Sequence, residues 1–151
     1  MPEKETLERA REDEREGKSP STQAGEFVRE EIDHIREGKH GARSTKQAIA
    51  IGLSKARRAG VKLKAPAKGK TSERTRHQAQ RELRRGAKKG KPSRKRSRAT
   101  ERALKRESRG VASSKALSRQ ARSSARNRTR SSRSSAAKKA ARTRARRRHR
   151  G

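Results

Sequence analysis

"EGKHGARSTKQAIAIGLSKARRAG", Glu37 to Gly60, is the stretch on which the fold turns. Ser44 followed three residues later by Gln47 is a capping box, in which a hydroxyl and an amide side chain satisfy backbone donors left open at a helix start. Gly60 stands where a helix ends in left-handed backbone, and Val61 is placed for the apolar contact that accompanies such an end. Between them, Ala48, Ile49, Ile51, Gly52, Leu53, Ala56 and Ala59 occupy a broad apolar arc. Lys46, Gln47, Ser54, Arg57 and Arg58 cluster on the other side. Ala48, Gly52, Ala56 and Gly60 recur every four residues, a row of small side chains that lets another helix approach closely. Gly52 weakens the helix by about 1 kcal/mol relative to alanine, so close packing is its expected use.

The partner lies just upstream. Ala24, Val28, Ile32 and Ile35 repeat at 4, 4 and 3, with Phe27 beside them, which predicts a one-sided helix from about Thr22 to Glu37, stopped by Gly38. The two segments form a small antiparallel hairpin, and little else in the chain can build a core. Hydrophobic residues make up 25% of the sequence, charged residues 42%, and Phe27 is the single aromatic. Nine of the fifteen Val, Ile, Leu, Met and Phe residues fall between Phe27 and Leu63.

Charge divides the chain. Met1 to Glu37 holds twelve acids and seven bases, while Gly38 to Gly151 holds four acids and 41 bases, giving the overall +32. No acid follows Glu107, and the last 44 residues carry 16 bases, the pattern of an interaction tail. Pro2 to Glu16 reads as a charged, solvated helix with almost nothing to bury. Ser72 to Arg85, Arg98 to Arg109 and Ser113 to about Arg126 are weaker helical stretches, expected to coil into helix once arginine repulsion is neutralised. The fold expected is therefore all-α: a small two-helix hairpin with a short charged N-terminal helix and a long, largely disordered or conditionally helical basic tail. The divisions are 1–20 for the acidic helix and linker, 21–64 for the hairpin and 65–151 for the tail.

Composition also limits the chemistry. Without cysteine there is neither a disulfide framework nor a thiolate metal site. Two Glu-x-x-His spacings occur, Glu31 to His34 and Glu37 to His40. Gly38 divides them into helix and loop and the next helix supplies no carboxylate, so no metal is expected, nor any other cofactor. His77 and His149 sit among arginines, where a metal cation is repelled. No nucleophile, base and orienting group cluster, and no enzyme activity is expected. "GKHGARST" fails the phosphate-loop spacing and follows a helix rather than a strand.

Clustered bases on this scale point to a polyanion, because each contact with a phosphate releases a condensed counterion. Missing aromatics disfavour stacking on single-stranded bases. Duplex DNA, bound without much sequence preference, is the expected partner, with RNA or the ribosome as the alternative and a protective polyanion-binding role as a third. The expected contacts are Lys39, Arg43, Lys46, Arg57, Arg58 and Lys62 on the hairpin, and Arg142, Arg144, Arg146, Arg147 and Arg148 in the tail. Self-association through the hairpin's apolar face is a further expectation. No apolar run is long enough to cross a membrane or to form a secretory signal, so the expected address is the cytoplasm and its nucleoid.

"QAGEFVREEIDHIREGKHGARSTKQAIAIGLSKARRAGVKL", Gln23 to Leu63, resembles an uncharacterised bacterial family of small basic proteins whose members are often labelled DNA-binding. "ALKRESRGVASSKALSRQARSSARNR", Ala103 to Arg128, is similar to the tail those proteins carry. The closing "AAKKAARTRARRRHRG" is similar to the tails of bacterial histone-H1-like proteins, with more arginine. The resemblance implies a bacterial origin and a nucleic-acid partner, and no known activity.

Overall fold

Ser44 caps its helix as the sequence requires. Its Oγ accepts from the Gln47 amide at 3.1 Å, and the Gln47 side chain reaches back to the Arg43 amide at 2.7 Å. At the other end Gly60 adopts φ +104° and the Val61 amide bonds the Ala56 carbonyl at 3.0 Å, closing the C-terminal motif with Val61 buried. The computed structural model describes residues 1–86 and 93–148, and this helix is the third of seven α-helices in them. They are α1 Lys4–Arg15, α2 Pro20–Arg36, α3 Thr45–Arg58, α4 Glu73–Gly86, α5 Arg94–Lys105, α6 Ser114–Arg126 and α7 Arg130–Arg148, with a 3-10 turn at Gly110–Ala112.

The expectation of a two-helix hairpin followed by a largely disordered or conditionally helical tail is overturned, because four further helices follow α3. Their segments are rich in Ala, Arg, Lys, Gln, Glu and Leu, strong helix formers, which outnumber the interspersed Ser and Thr. Repulsion among the bases is offset in α4 and α5 by carboxylates one turn away, as in the 2.9 Å Glu101–Lys105 pair. The Ala-rich α7 has 19 residues, enough to outweigh an unfavourable nucleus. The closing low-complexity stretch extends past it to residues 149–151, outside the described residues.

The chain divides into two compact units, Met1–Ser113 and Ser114–Gly151. In the first, α2 and α3 lie against each other along the small-residue row. A Cβ at Gly52 would stand 2.6 Å from Val28 Cα and 3.0 Å from the Phe27 carbonyl. Ala48, Gly52 and Ala56 are buried there, whereas Ile49, Ile51 and Leu53 are only half-buried. Large side chains for the core come mainly from α2, where Phe27 and Ile35 are fully enclosed.

Helix α1 is not simply solvated. Ala10 joins Ala24, Phe27, Ala56 and Val61 in one apolar cluster, with Leu7, Leu53 and Leu63 packed against it. Polar ties complete the docking: Arg9 Nε bonds Glu26 at 2.7 Å and the Glu3 amide bonds the Glu30 carboxylate at 3.1 Å. Helix α4 packs on α3 through buried Ala79 and Glu82. Gly86 ends it so close to α3 that a Cβ would overlap the Arg57 carbonyl.

The stretch after α5 clasps the loop between α2 and α3. The Gly41 amide bonds the Leu104 carbonyl at 2.9 Å and the Ala42 amide bonds that of Ser108 at 3.1 Å. The Thr45 hydroxyl donates to the Val111 carbonyl at 2.7 Å, and Arg36 Nε to that of Ala112 at 3.0 Å. A Cβ at Gly41 would overlap the Glu107 carbonyl, so only glycine admits this backbone approach. Residues 104–112, read from sequence as part of the tail, belong structurally to the first unit.

Candidate nucleic-acid interface

In the first unit half of the six expected contact residues, Lys39, Arg43 and Arg57, already have carboxylate partners. Lys39 Nζ lies 2.9 Å from Glu37 and 3.3 Å from Glu3, and these carboxylates hold its ammonium above the usual lysine range, the hydrogen bond it donates to Glu37 contributing most. Arg43 is 82% exposed and reaches Glu107 at 3.8 Å. Arg58 is exposed and folds onto Ser54 at 2.8 Å. Lys46 and Lys62 stand exposed.

Arg57 does not lie on the outer face. It is buried, with Nη1 3.6 Å from Glu82 Oε2 and Nε donating to the Leu63 carbonyl at 3.3 Å. Ser54 Oγ donates to the same carboxylate at 2.5 Å, as does Gln78 Nε2 at 2.9 Å. Arg57 thus joins α3 to α4 and has no surface to offer a phosphate. Sequence patterning placed it outside because α4 was not expected to cover that side.

The second unit contains no carboxylate side chain at all. On α6, Lys115, Arg119, Arg122 and Arg126 recur at 4, 3 and 4, which brings them onto one stripe of the helix. With Ser114, Ser118 and Ser123 they line a shallow groove. The half-buried Ala116, Leu117 and Gln120 occupy the other side, so α6 is amphipathic with its charge turned outward. The stripe is roughly 16 Å long at 1.5 Å per residue, comparable to about five base-pair rises of a duplex. Its signal was present in "SKALSRQARSSAR" as a helical period of bases. Sequence reasoning marked Ser113 to about Arg126 as a weak helical stretch but did not follow the row of bases along it.

Arg142, Arg144, Arg146, Arg147 and Arg148 all lie on α7 and all are exposed. Their spacing distributes them around the helix rather than along one face. Helix α7 therefore presents cations in every direction, whereas α6 presents an ordered row with hydroxyl donors at its margins. Both arrangements suit phosphate oxygens. Among the described residues no helix is long and apolar enough to cross a membrane.

Comparison with known proteins places residues 16–69 in a match to a family of unknown function, DUF6496. The matched span covers α2, α3 and the segment leading toward α4. No curated protein and no solved structure matches the chain.

Proposed function

We propose that this chain is a binding protein for nucleic-acid backbone, with duplex DNA as its partner and the Ser114–Gly151 unit as its main contact surface. One observation carries the reading: the 33 bases of the first unit share it with all 16 of the acids, whereas the 15 bases of the second have no acid among them. A cation already beside a carboxylate gains less from a phosphate than one facing only water and mobile ions. Counterion release should therefore be concentrated on α6 and α7. The α6 stripe supports ordered contact with successive phosphates, and α7 supports attraction from any side. The scarcity of aromatic side chains favours duplex over single strand. On this reading the protein acts in the nucleoid as an electrostatic, largely sequence-independent ligand of DNA.

The test is a salt titration of duplex binding by the full chain and by a variant carrying Lys115→Gln, Arg119→Gln, Arg122→Gln and Arg126→Gln. Each lost phosphate contact should reduce the slope of log affinity against log salt by about 0.9, so the variant should be shallower by about 3 to 4. Two unrelated duplex sequences should bind alike. An unchanged slope would remove α6 from the interface, and marked preference for structured RNA over DNA would transfer the function to the RNA-associated alternative.

A further inference from the structure

Beneath the start of α1, the otherwise basic chain gathers acids and imidazoles. Glu30 and Glu31 are 4% and 1% exposed on α2. Glu31 and His34 are three residues apart and share a helix face. His40, from the loop beyond Gly38, turns back so that its Nε2 lies 2.9 Å from Glu31 Oε1. One donor atom from each of Glu31, His34 and His40 lies within 4.8 Å of the others. Glu3 Oε1 stands 2.9 Å from His34 Nε2.

We infer that Glu31, His34 and His40 form a binding site for a first-row divalent metal ion of the zinc type, with Glu3 positioned to supply a fourth ligand. Two imidazoles and a carboxylate form a donor set suited to such ions. The tautomer also fits. His40 Nδ1 lies 3.0 Å from the Gly41 carbonyl, which can only accept, so Nδ1 carries a proton and leaves Nε2, which faces Glu31 at 2.9 Å, as the nitrogen on which a metal ion would take the place of a proton. A metal-ligating histidine is commonly oriented by such a bond from its other nitrogen to a backbone carbonyl. The clasp fixes that carbonyl, because the Gly41 amide is bonded to Leu104.

Charge provides the second, independent observation. Glu3, Glu30, Glu31 and Glu37 are served here by two ammonium groups, Lys39 and Lys55. Lys55 Nζ approaches Glu31 Oε2 at 2.6 Å and Glu30 Oε1 at 3.5 Å, but in directions that complete no hydrogen bond to either buried oxygen. With both imidazoles neutral, as ligation requires, a divalent ion offsets the two surplus negative charges while leaving Lys55 on Oε2. Donors at about 2.0 to 2.1 Å from zinc require the three side chains to close by roughly 1 Å, within reach of their rotamers.

The experiment titrates Zn2+ into the metal-stripped full chain by calorimetry and follows the imidazole nitrogens by NMR. One equivalent should bind, and the ring signals of His34 and His40 should shift while those of His77 and His149 stay in place. His34→Ala and His40→Ala should each weaken binding by more than about tenfold, the loss that even an outer partner of a ligand causes. His77→Ala, which removes the exposed Glu73–His77 pair at 3.8 Å, should leave it unchanged. Circular dichroism identifies any variant that loses its helices, and the wild-type ring signals decide independently of the variants. No binding, equal affinity in the His34 and His40 variants, or shifts shared by all four histidines would overturn the site.

Discussion

Placing a methyl group at Gly52 sets two effects against each other. Alanine would favour helix α3 by about 1 kcal/mol, but its Cβ would stand 2.6 Å from backbone that cannot rotate aside. Overpacking of this kind costs about 1–3 kcal/mol, so urea unfolding of Gly52→Ala should show no net gain and a loss of up to about 2 kcal/mol. Lys18 supplies a test by pH. Its ammonium lies 2.6 Å from Asp13 and 2.6 Å from Glu16, and the bond to Asp13, then that to Glu16, raises its pKa above the ordinary 10.5. A base whose folded pKa is raised contributes stability fully below the ordinary value and loses it as pH rises through the folded one. Wild type should therefore be more heat-stable than Lys18→Met near neutrality, and their melting temperatures should converge above about pH 10.5. Ser44 was legible in sequence because it acts three residues away on its own helix, and Gly52 because the four-residue row of small side chains marks a close helix contact. Burial of Arg57 was not, since its partner Glu82 lies on a helix that periodicity alone did not dock.

Among the elements, α4 and the clasp were the least legible. Helix α4 offers Ala79 and the buried Glu82 instead of an apolar stripe, so the pattern on which sequence reasoning relies is nearly absent. Replacing Glu82 by Leu leaves Arg57 buried without its carboxylate, and the loss should be about 3–5 kcal/mol. The double variant with Arg57→Met should recover most of that loss in thermal unfolding, since a well-packed apolar pair commonly equals a buried ion pair. The clasp is held mainly by backbone groups, whose pairing leaves no residue pattern except glycine where chains approach. Gly41→Ala should displace residues 104–108, and the Ala42 amide, now bonded to Ser108, should lose its hydrogen-exchange protection while amides in the middle of α2 retain theirs. The metal-site residues were visible as two Glu-x-x-His spacings, but their grouping was not. It depends on the loop turning His40 of one pair onto Glu31 of the other.

Across the whole molecule, the division of charge was plain in the sequence, and its structural counterpart is a mixed-charge first unit and an acid-free second one. The boundary was less legible. The change in composition after Leu63 suggested that folding stops there, yet the first unit continues to Ser113 because the 104–112 stretch closes onto the loop. The family match at residues 16–69 omits both α1 and this clasp, so an excised fragment of that span would expose Phe27 and Ala24 and leave the Gly41 and Ala42 amides without their partners. The same closure orders events during synthesis. At about 5–20 residues per second, the ribosome makes Ser108 roughly 3–13 s after Ala42. The last acid, Glu107, belongs to that returning segment, and every residue of α6 and α7 follows it. A nascent chain therefore has all of its carboxylates, and the parts needed to close its first unit, before its acid-free helices emerge beside the ribosome's own RNA.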